Sequence, residues 1–159
     1  MERQLAARLV SLCAARGLTV VTAESCTGGL VAGAITAIPG ASEVLDRGFV
    51  TYSNAAKTEL LGVPAGLIEA VGAVSEAVAQ RMAAGARIRA NADFAVSVTG
   101  IAGPGGGSLA KPVGTVWFGL AGRQGELLAR HKLFTGNRDE IRAASVIYAL
   151  ELLMSGVKA

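Results

Sequence analysis

The stretch Phe94-Ala95-Val96-Ser97-Val98 is apolar at nearly every position instead of every second one. A strand with that pattern has no face to offer water, so other elements must cover it on both sides. The covering elements are visible in the same sequence. Leu5, Leu9, Leu12 and Cys13 recur at helical spacing ahead of Gly17, which stands where a helix stops. Residues 18–23 follow as a second buried strand, rich in β-branched side chains, and end abruptly at Glu24-Ser25-Cys26-Thr27-Gly28-Gly29. A small-residue helix then spans residues 30–37, stopped by Pro39-Gly40.

Residues 47–53 read as another strand, and Asn54 is placed to cap a helix that runs through Leu60 and ends at Gly62 and Pro64. Ser75, Val78 and Met82 open an amphipathic helix with Glu76 in its first turn. Residues 115–120 and 127–134 read as strands joined by the hairpin signal Gly122-Arg123-Gln124-Gly125. Residues 138–154 form a closing helix with Ile141, Ser145, Tyr148 and Leu152 inward. The alternation predicts a three-layer α/β/α sandwich with a mixed, mostly parallel sheet of about five strands, one antiparallel pair coming from the late hairpin. No internal repeat or boundary divides residues 1–159, which are expected to make one domain.

Charge narrows the function. Fifteen basic against twelve acidic residues give +3, and the basic positions are scattered. Nucleic-acid binding asks for a clustered basic face and stacking aromatics, yet aromatics are only 4% of this chain. A small anionic ligand suits the weak excess better than a polymer. No apolar run reaches the length of about 18 residues that a membrane span requires. The start Met1-Glu2-Arg3-Gln4 does not resemble a signal peptide, so a cytoplasmic location is expected. Cys13 falls on the apolar side of the first helix, and no cluster of Cys, His and carboxylates has metal-ligand spacing. No metal or cofactor is called for. The apolar composition leaves a homo-oligomer open.

In open α/β sheets ligands bind beyond the carboxyl ends of the strands. Ser25 sits there, in a small-residue turn. The N–H groups of Cys26, Thr27 and Gly28 lie beside a helix N-terminus that could receive an oxyanion or phosphate. The alternative is that Ser25 and Thr27 merely cap the helix. A nucleophilic serine needs a base. The one histidine, His131, lies on an expected edge strand among charged neighbours, which leaves lysine. Lys57, in the apolar setting of Ala55, Ala56, Leu60 and Leu61, is the better placed, with Tyr52 able to hydrogen-bond both partners. Each has a plainer reading, as an exposed helix lysine and a sheet aromatic. Cys26 is a rival nucleophile at the same helix end. Gly100-Ile101-Ala102-Gly103-Pro104-Gly105-Gly106-Gly107-Ser108 is neither a P-loop nor a dinucleotide fingerprint, but permits close backbone approach to a ligand. Arg138 and Arg142, one turn apart on the last helix, fit a phosphate site or salt bridges with Asp139 or Glu140.

These motifs together resemble the CinA C-terminal domain family. The resemblance is carried by Ala23-Glu24-Ser25-Cys26-Thr27-Gly28-Gly29, by Gly48-Phe49-Val50-Thr51-Tyr52-Ser53-Asn54 with Lys57, and by Gly72-Ala73-Val74-Ser75-Glu76. It continues in Thr99-Gly100-Ile101-Ala102-Gly103-Pro104, Lys111-Pro112-Val113-Gly114-Thr115-Val116 and Gly136-Asn137-Arg138 with Arg142. The resemblance implies a nicotinamide-nucleotide amidase that converts nicotinamide mononucleotide to nicotinic acid mononucleotide and ammonia. The family's serine, tyrosine and lysine positions fall on Ser25, Tyr52 and Lys57. Substrate contacts are then expected from Cys26, Thr27, Gly28, Gly29, Thr99, Gly100, Ile101, Ala102 and Gly103, with Arg142 at the ribose-phosphate. The family's link to competence and DNA damage, and an anticodon-binding-like sheet, keep a non-catalytic interaction or nucleic-acid module as the alternative.

Overall fold

A computed structural model describes residues 1–159. One five-stranded sheet in the order β2-β1-β3-β4-β5 carries helices on both faces. In chain order the elements are α1 (Glu2–Arg16), β1 (Val20–Glu24), α2 (Leu30–Thr36), β2 (Leu45–Val50), α3 (Asn54–Leu61), α4 (Ala65–Val71) and α5 (Glu76–Ala90). Then come β3 (Phe94–Gly100), β4 (Thr115–Gly122), β5 (Leu127–Leu133) and α6 (Arg138–Lys158). A single 3-10 turn, Ala41–Glu43, precedes β2.

The unbroken apolar runs sit where the argument from burial requires. β1 and β3 lie inside the sheet, side by side and parallel, and every residue of β1 is buried. Alternate residues feed two cores. Val20, Val96 and Val98 join α1, α2 and α6, whereas Val21, Ala23 and Ala95 join α4 and α5. Four strands point one way and β4 opposes both neighbours. There are therefore two antiparallel ladders, where the hairpin alone predicts one.

Three local expectations shift. The second strand occupies Leu45–Val50 instead of 47–53: it is a sheet edge, and after Val50 the chain turns away across the top of β1. The cap of α3 is Ser53, not Asn54, because Ser53 is extended and its hydroxyl accepts the Ala56 N–H at 3.0 Å. Helix α4 has no counterpart in the reading of the sequence. Its seven residues offer two turns at most, too few for a periodic signal, though Pro64 and Gly72 bracket it.

Small residues bring the helices close to the sheet and to each other. Ser97 donates to the Ala79 carbonyl at 2.5 Å, and a side chain at Gly119 would lie 2.3 Å from that same oxygen. Gly85 of α5 meets the end of α3 just as tightly, since a β-carbon there would stand 2.0 Å from the Leu61 carbonyl oxygen. Gly85→Ala is expected to push α3 off α5 at a cost of about 1–3 kcal/mol. Thermal unfolding would register it as a fall of several degrees in Tm.

Candidate active site

The carboxyl ends of β1, β2 and β3 open into a cleft of about 300 Å³. β1 delivers Ser25, one residue past its end. β2 leads through Thr51, Tyr52 and Ser53 into α3, whose fourth residue is Lys57. β3 runs into the glycine loop, which forms the opposite wall from Gly100 to Gly106.

Lys57 is among the largest fully buried side chains of the protein, 1% exposed. Its Nζ lies 3.0 Å from Ser25 Oγ, 3.0 Å from the Thr51 carbonyl and 3.1 Å from the Tyr52 carbonyl. No carboxylate pairs with it. Removal from water therefore dominates, and burial holds its pKa below the ordinary lysine value. A neutral amine has two N–H groups and one lone pair. When the amine is unprotonated and its two N–H groups go to the two carbonyls, the lone pair is left for Ser25 Oγ. The chain leaving the edge strand early is what places those carbonyls.

Tyr52 enters differently from the expectation. Its carbonyl, not its hydroxyl, reaches Lys57 and lies 3.4 Å from Ser25 Oγ. The ring is 62% exposed and turned outward, because the backbone at this point faces the buried amine. Its hydroxyl accepts from Arg138 at 3.3 Å, and Arg138 also donates to the Gly103 carbonyl at 2.7 Å. Arg138 thus links the two walls across the mouth of the cleft.

The expected contacts divide in two. Ser25, Cys26, Tyr52, Lys57, Thr99, Gly100, Ile101, Ala102 and Gly103 line the cleft. Thr99 does so with its hydroxyl turned away, donating to the Ala73 carbonyl at 2.9 Å. Thr27, Gly28, Gly29 and Arg142 do not line it. The Gly28 N–H is spent on the Ser25 carbonyl at 3.1 Å. The start of α2 is not open either, because the Glu24 carboxylate accepts from Gly29, Val31 and Ala32. Only the N–H groups of Cys26 and Thr27 in this turn lack a protein partner. Arg142 lies behind the turn, donating through Nε to the Cys26 carbonyl at 3.0 Å. The capping-box start of α6 explains the exchange: it sets Arg138 at the cleft mouth and Arg142 one turn further in.

Asn54, Ala73, Val74, Gly105, Gly106 and Arg138 also line the cleft. Asn54, Ala73, Val74 and Arg138 all stand inside motifs quoted for the family resemblance, so their signal was present. Ala73 and Val74 reach the cleft through the loop that follows α4. Cys26 faces the cleft, yet burial pushes its thiol up to about 11, which removes the thiolate a rival nucleophile needs. His131 is exposed on edge strand β5, its ring 5.0 Å from that of Trp117 and remote from Ser25.

Fold and cleft define a class: an α/β/α domain that presents a serine–lysine pair at the carboxyl edge of a mixed sheet. The chain belongs to the CinA C-terminal domain family, which it matches over residues 2–157. It is 53% identical over 150 residues to the nicotinamide-nucleotide amidohydrolase PncC of Escherichia coli strain K12, spanning 94% of this chain and 91% of that one. The protein of the same name from Enterobacter agglomerans is 57% identical over 137 residues, 86% of this chain and 84% of that one. The crystal structure of the competence/damage inducible protein CihA from Agrobacterium tumefaciens superposes with a TM-score of 0.97 at 50% identity, covering 99% of this chain and 96% of that one. A CinA-like protein of Mycolicibacterium vanbaalenii is 56% identical over 137 residues that make up only 32% of its length, so the domain also stands within longer chains. No helix of this chain is long and apolar enough to cross a membrane.

The lowered Lys57 pKa has a thermodynamic signature. Between that lowered value and the ordinary 10.5 the unfolded chain carries a proton that the folded chain lacks. The Lys57 contribution to the unfolding free energy rises with pH across the window, while Cys13 and Cys26, pushed up from 9.0 to about 11, contribute a fall between those values. Urea unfolding of the natural protein and of Lys57→Met isolates the lysine: the natural protein should gain on the variant as pH rises from neutral towards 10.5, because the thiols are common to both.

Proposed function

We propose that the protein is a nicotinamide-nucleotide amidohydrolase, releasing ammonia from nicotinamide mononucleotide to leave nicotinic acid mononucleotide. Two things support it: relatives at 53% and 57% identity bear that activity in their names, and a buried lysine amine without a counter-charge touches a serine hydroxyl in the cleft. The second observation carries the chemistry.

Neutral Lys57 takes the Ser25 proton as Oγ attacks the carboxamide carbon. The Thr51 and Tyr52 carbonyls then hold the ammonium that forms, so the charge appears where two acceptors already wait. The oxygen that gains charge is received by the Cys26 N–H, the free donor of the turn that lies on the cleft, and such a donor is worth about 3 kcal/mol of barrier. Lys57 returns the proton to the departing nitrogen, and the C–N bond breaks to release ammonia. Water, deprotonated by the same amine, cleaves the acyl-enzyme and restores Ser25. The steps need no metal and no cofactor.

Arg138 is the exposed cation at the cleft mouth, placed to meet a nucleotide phosphate. The earlier expectation gave that task to Arg142, whose bond to the Cys26 carbonyl suits it better to holding the serine turn. A cleft of about 300 Å³ is at the small end for ligand sites and suits one nucleotide. The substrate belongs to pyridine-nucleotide recycling, and a cytoplasmic location completes the reading.

Ammonia release is the direct test. Ser25→Ala and Lys57→Ala should each lower kcat by at least about 10³-fold while circular dichroism stays native. Near-normal turnover by either would remove that residue from the chemistry. The two arginines should separate in kinetics: Arg138→Ala raises KM for the mononucleotide about tenfold, and Arg142→Ala lowers kcat. Tyr52→Phe should follow Arg138→Ala in milder form and leave the acid limb of the pH–rate profile in place, since its hydroxyl touches neither Ser25 nor Lys57.

A further inference from the structure

Glu24 is a charged residue with no charged partner, no exposure to solvent and no contact with the cleft. It ends β1 and immediately precedes Ser25. Its side chain turns under the chain that follows. Oε1 accepts from the Gly29 N–H at 3.2 Å and from Val31 at 2.9 Å, and Oε2 from Ala32 at 3.0 Å. These are the N-cap and two first-turn positions of α2, groups that no carbonyl within the helix can satisfy. The carboxylate therefore ties the exit of the serine turn back to its entrance.

That turn needs such a tie. Gly28 and Gly29 both have positive φ, 57° and 103°, the region in which glycine has the widest freedom. The other bonds around it are Ser25 N–H to the Val98 carbonyl at 2.9 Å, Gly28 N–H to the Ser25 carbonyl at 3.1 Å, Leu30 N–H to the Thr27 carbonyl at 3.0 Å, and Arg142 Nε to the Cys26 carbonyl. None of these joins the start of α2 directly to the end of β1. Between the two ends lie Ser25 Oγ and the free Cys26 N–H, whose mutual aim sets the rate.

We infer that Glu24 is a positioning residue for acyl transfer: its buried carboxylate closes residues 24–32 into a ring that fixes the nucleophile and the Cys26 oxyanion donor. This rests on Ser25 being the nucleophile. The helix dipole of α2 is accordingly used on an internal anion, not on substrate. Arg142 supports the same turn from α6 through the Cys26 carbonyl. A displacement near 1 Å at a reacting group costs about 100-fold in rate, so a loosened ring should slow the enzyme without weakening binding.

The test uses Glu24→Gln, which preserves shape but replaces one acceptor oxygen with a donor facing N–H groups. Two rates are measured on the full chain: ammonia release from nicotinamide mononucleotide, and phosphonylation of Ser25 by a small fluorophosphonate, followed by intact mass. The second needs no nucleotide. The expected result is a fall of tenfold or more in both kcat and labelling rate, with KM within twofold and the acid limb of the pH profile unmoved. A folded variant that labels less than tenfold slower than the natural protein overturns the inference and leaves Glu24 a purely structural cap. Should Glu24→Gln not fold, Glu24→Asp, one methylene short of the same N–H groups, is read by the same criterion. Labelling of the natural protein without ammonia release would sink the amide substrate alone, and no labelling at all would sink the serine nucleophile and this inference with it.

Discussion

An amine without a counter-ion, enclosed by protein, is the contact around which this molecule is arranged. Burying Lys57 uncompensated is costly, and the fold accepts it at one place, where two carbonyls and one hydroxyl meet the nitrogen. A salt bridge there would relieve the cost and raise the pKa, and the amine would stay protonated at neutral pH with no lone pair for the serine proton. The absence of a neighbouring carboxylate is therefore as functional as the presence of the hydroxyl. The nearest buried acid, Glu24, is fully occupied by three N–H groups.

The sheet makes this arrangement possible through its edge. β2 pairs with β1 as far as Val50, and the Thr51 N–H still reaches the Glu24 carbonyl at 2.9 Å. Beyond that point the chain has no further strand partner and is free to present Thr51 and Tyr52 carbonyls to Lys57. A residue within the interior of the sheet would have its carbonyls committed to neighbouring strands. The tight seat of α5 on β3 and β4, through Ser97 and Gly119, and of α3 on α5, through Gly85, then fixes the distance from which Lys57 reaches back.

Much of this was legible in the sequence, for identifiable reasons. The unbroken apolar runs of β1 and β3 could only be interior strands, and glycine and proline marked most helix ends. Ser25 and Lys57 stood out because a small-residue turn and an apolar helix left few other candidates. What the sequence concealed was direction. Nothing in the identity of Tyr52 says that its carbonyl faces inward while its hydroxyl faces out. Arg138 and Arg142 are one turn apart on the same helix, and only the position of Asn137 at the cap decides which meets the cleft. Glu24 looked like one more residue of a motif, since a carboxylate folding back on its own chain leaves no periodic trace. Helix α4 was too short to show one.

The bond from Arg142 to the Cys26 carbonyl joins the final helix to a turn formed by the first sixth of the chain. Arg138 likewise completes the cleft mouth from that same helix. During synthesis the serine, its lysine and the glycine loop all leave the ribosome before α6 exists. A nascent chain therefore holds every reacting atom but lacks the brace behind its serine turn. The site is complete only once α6 has docked.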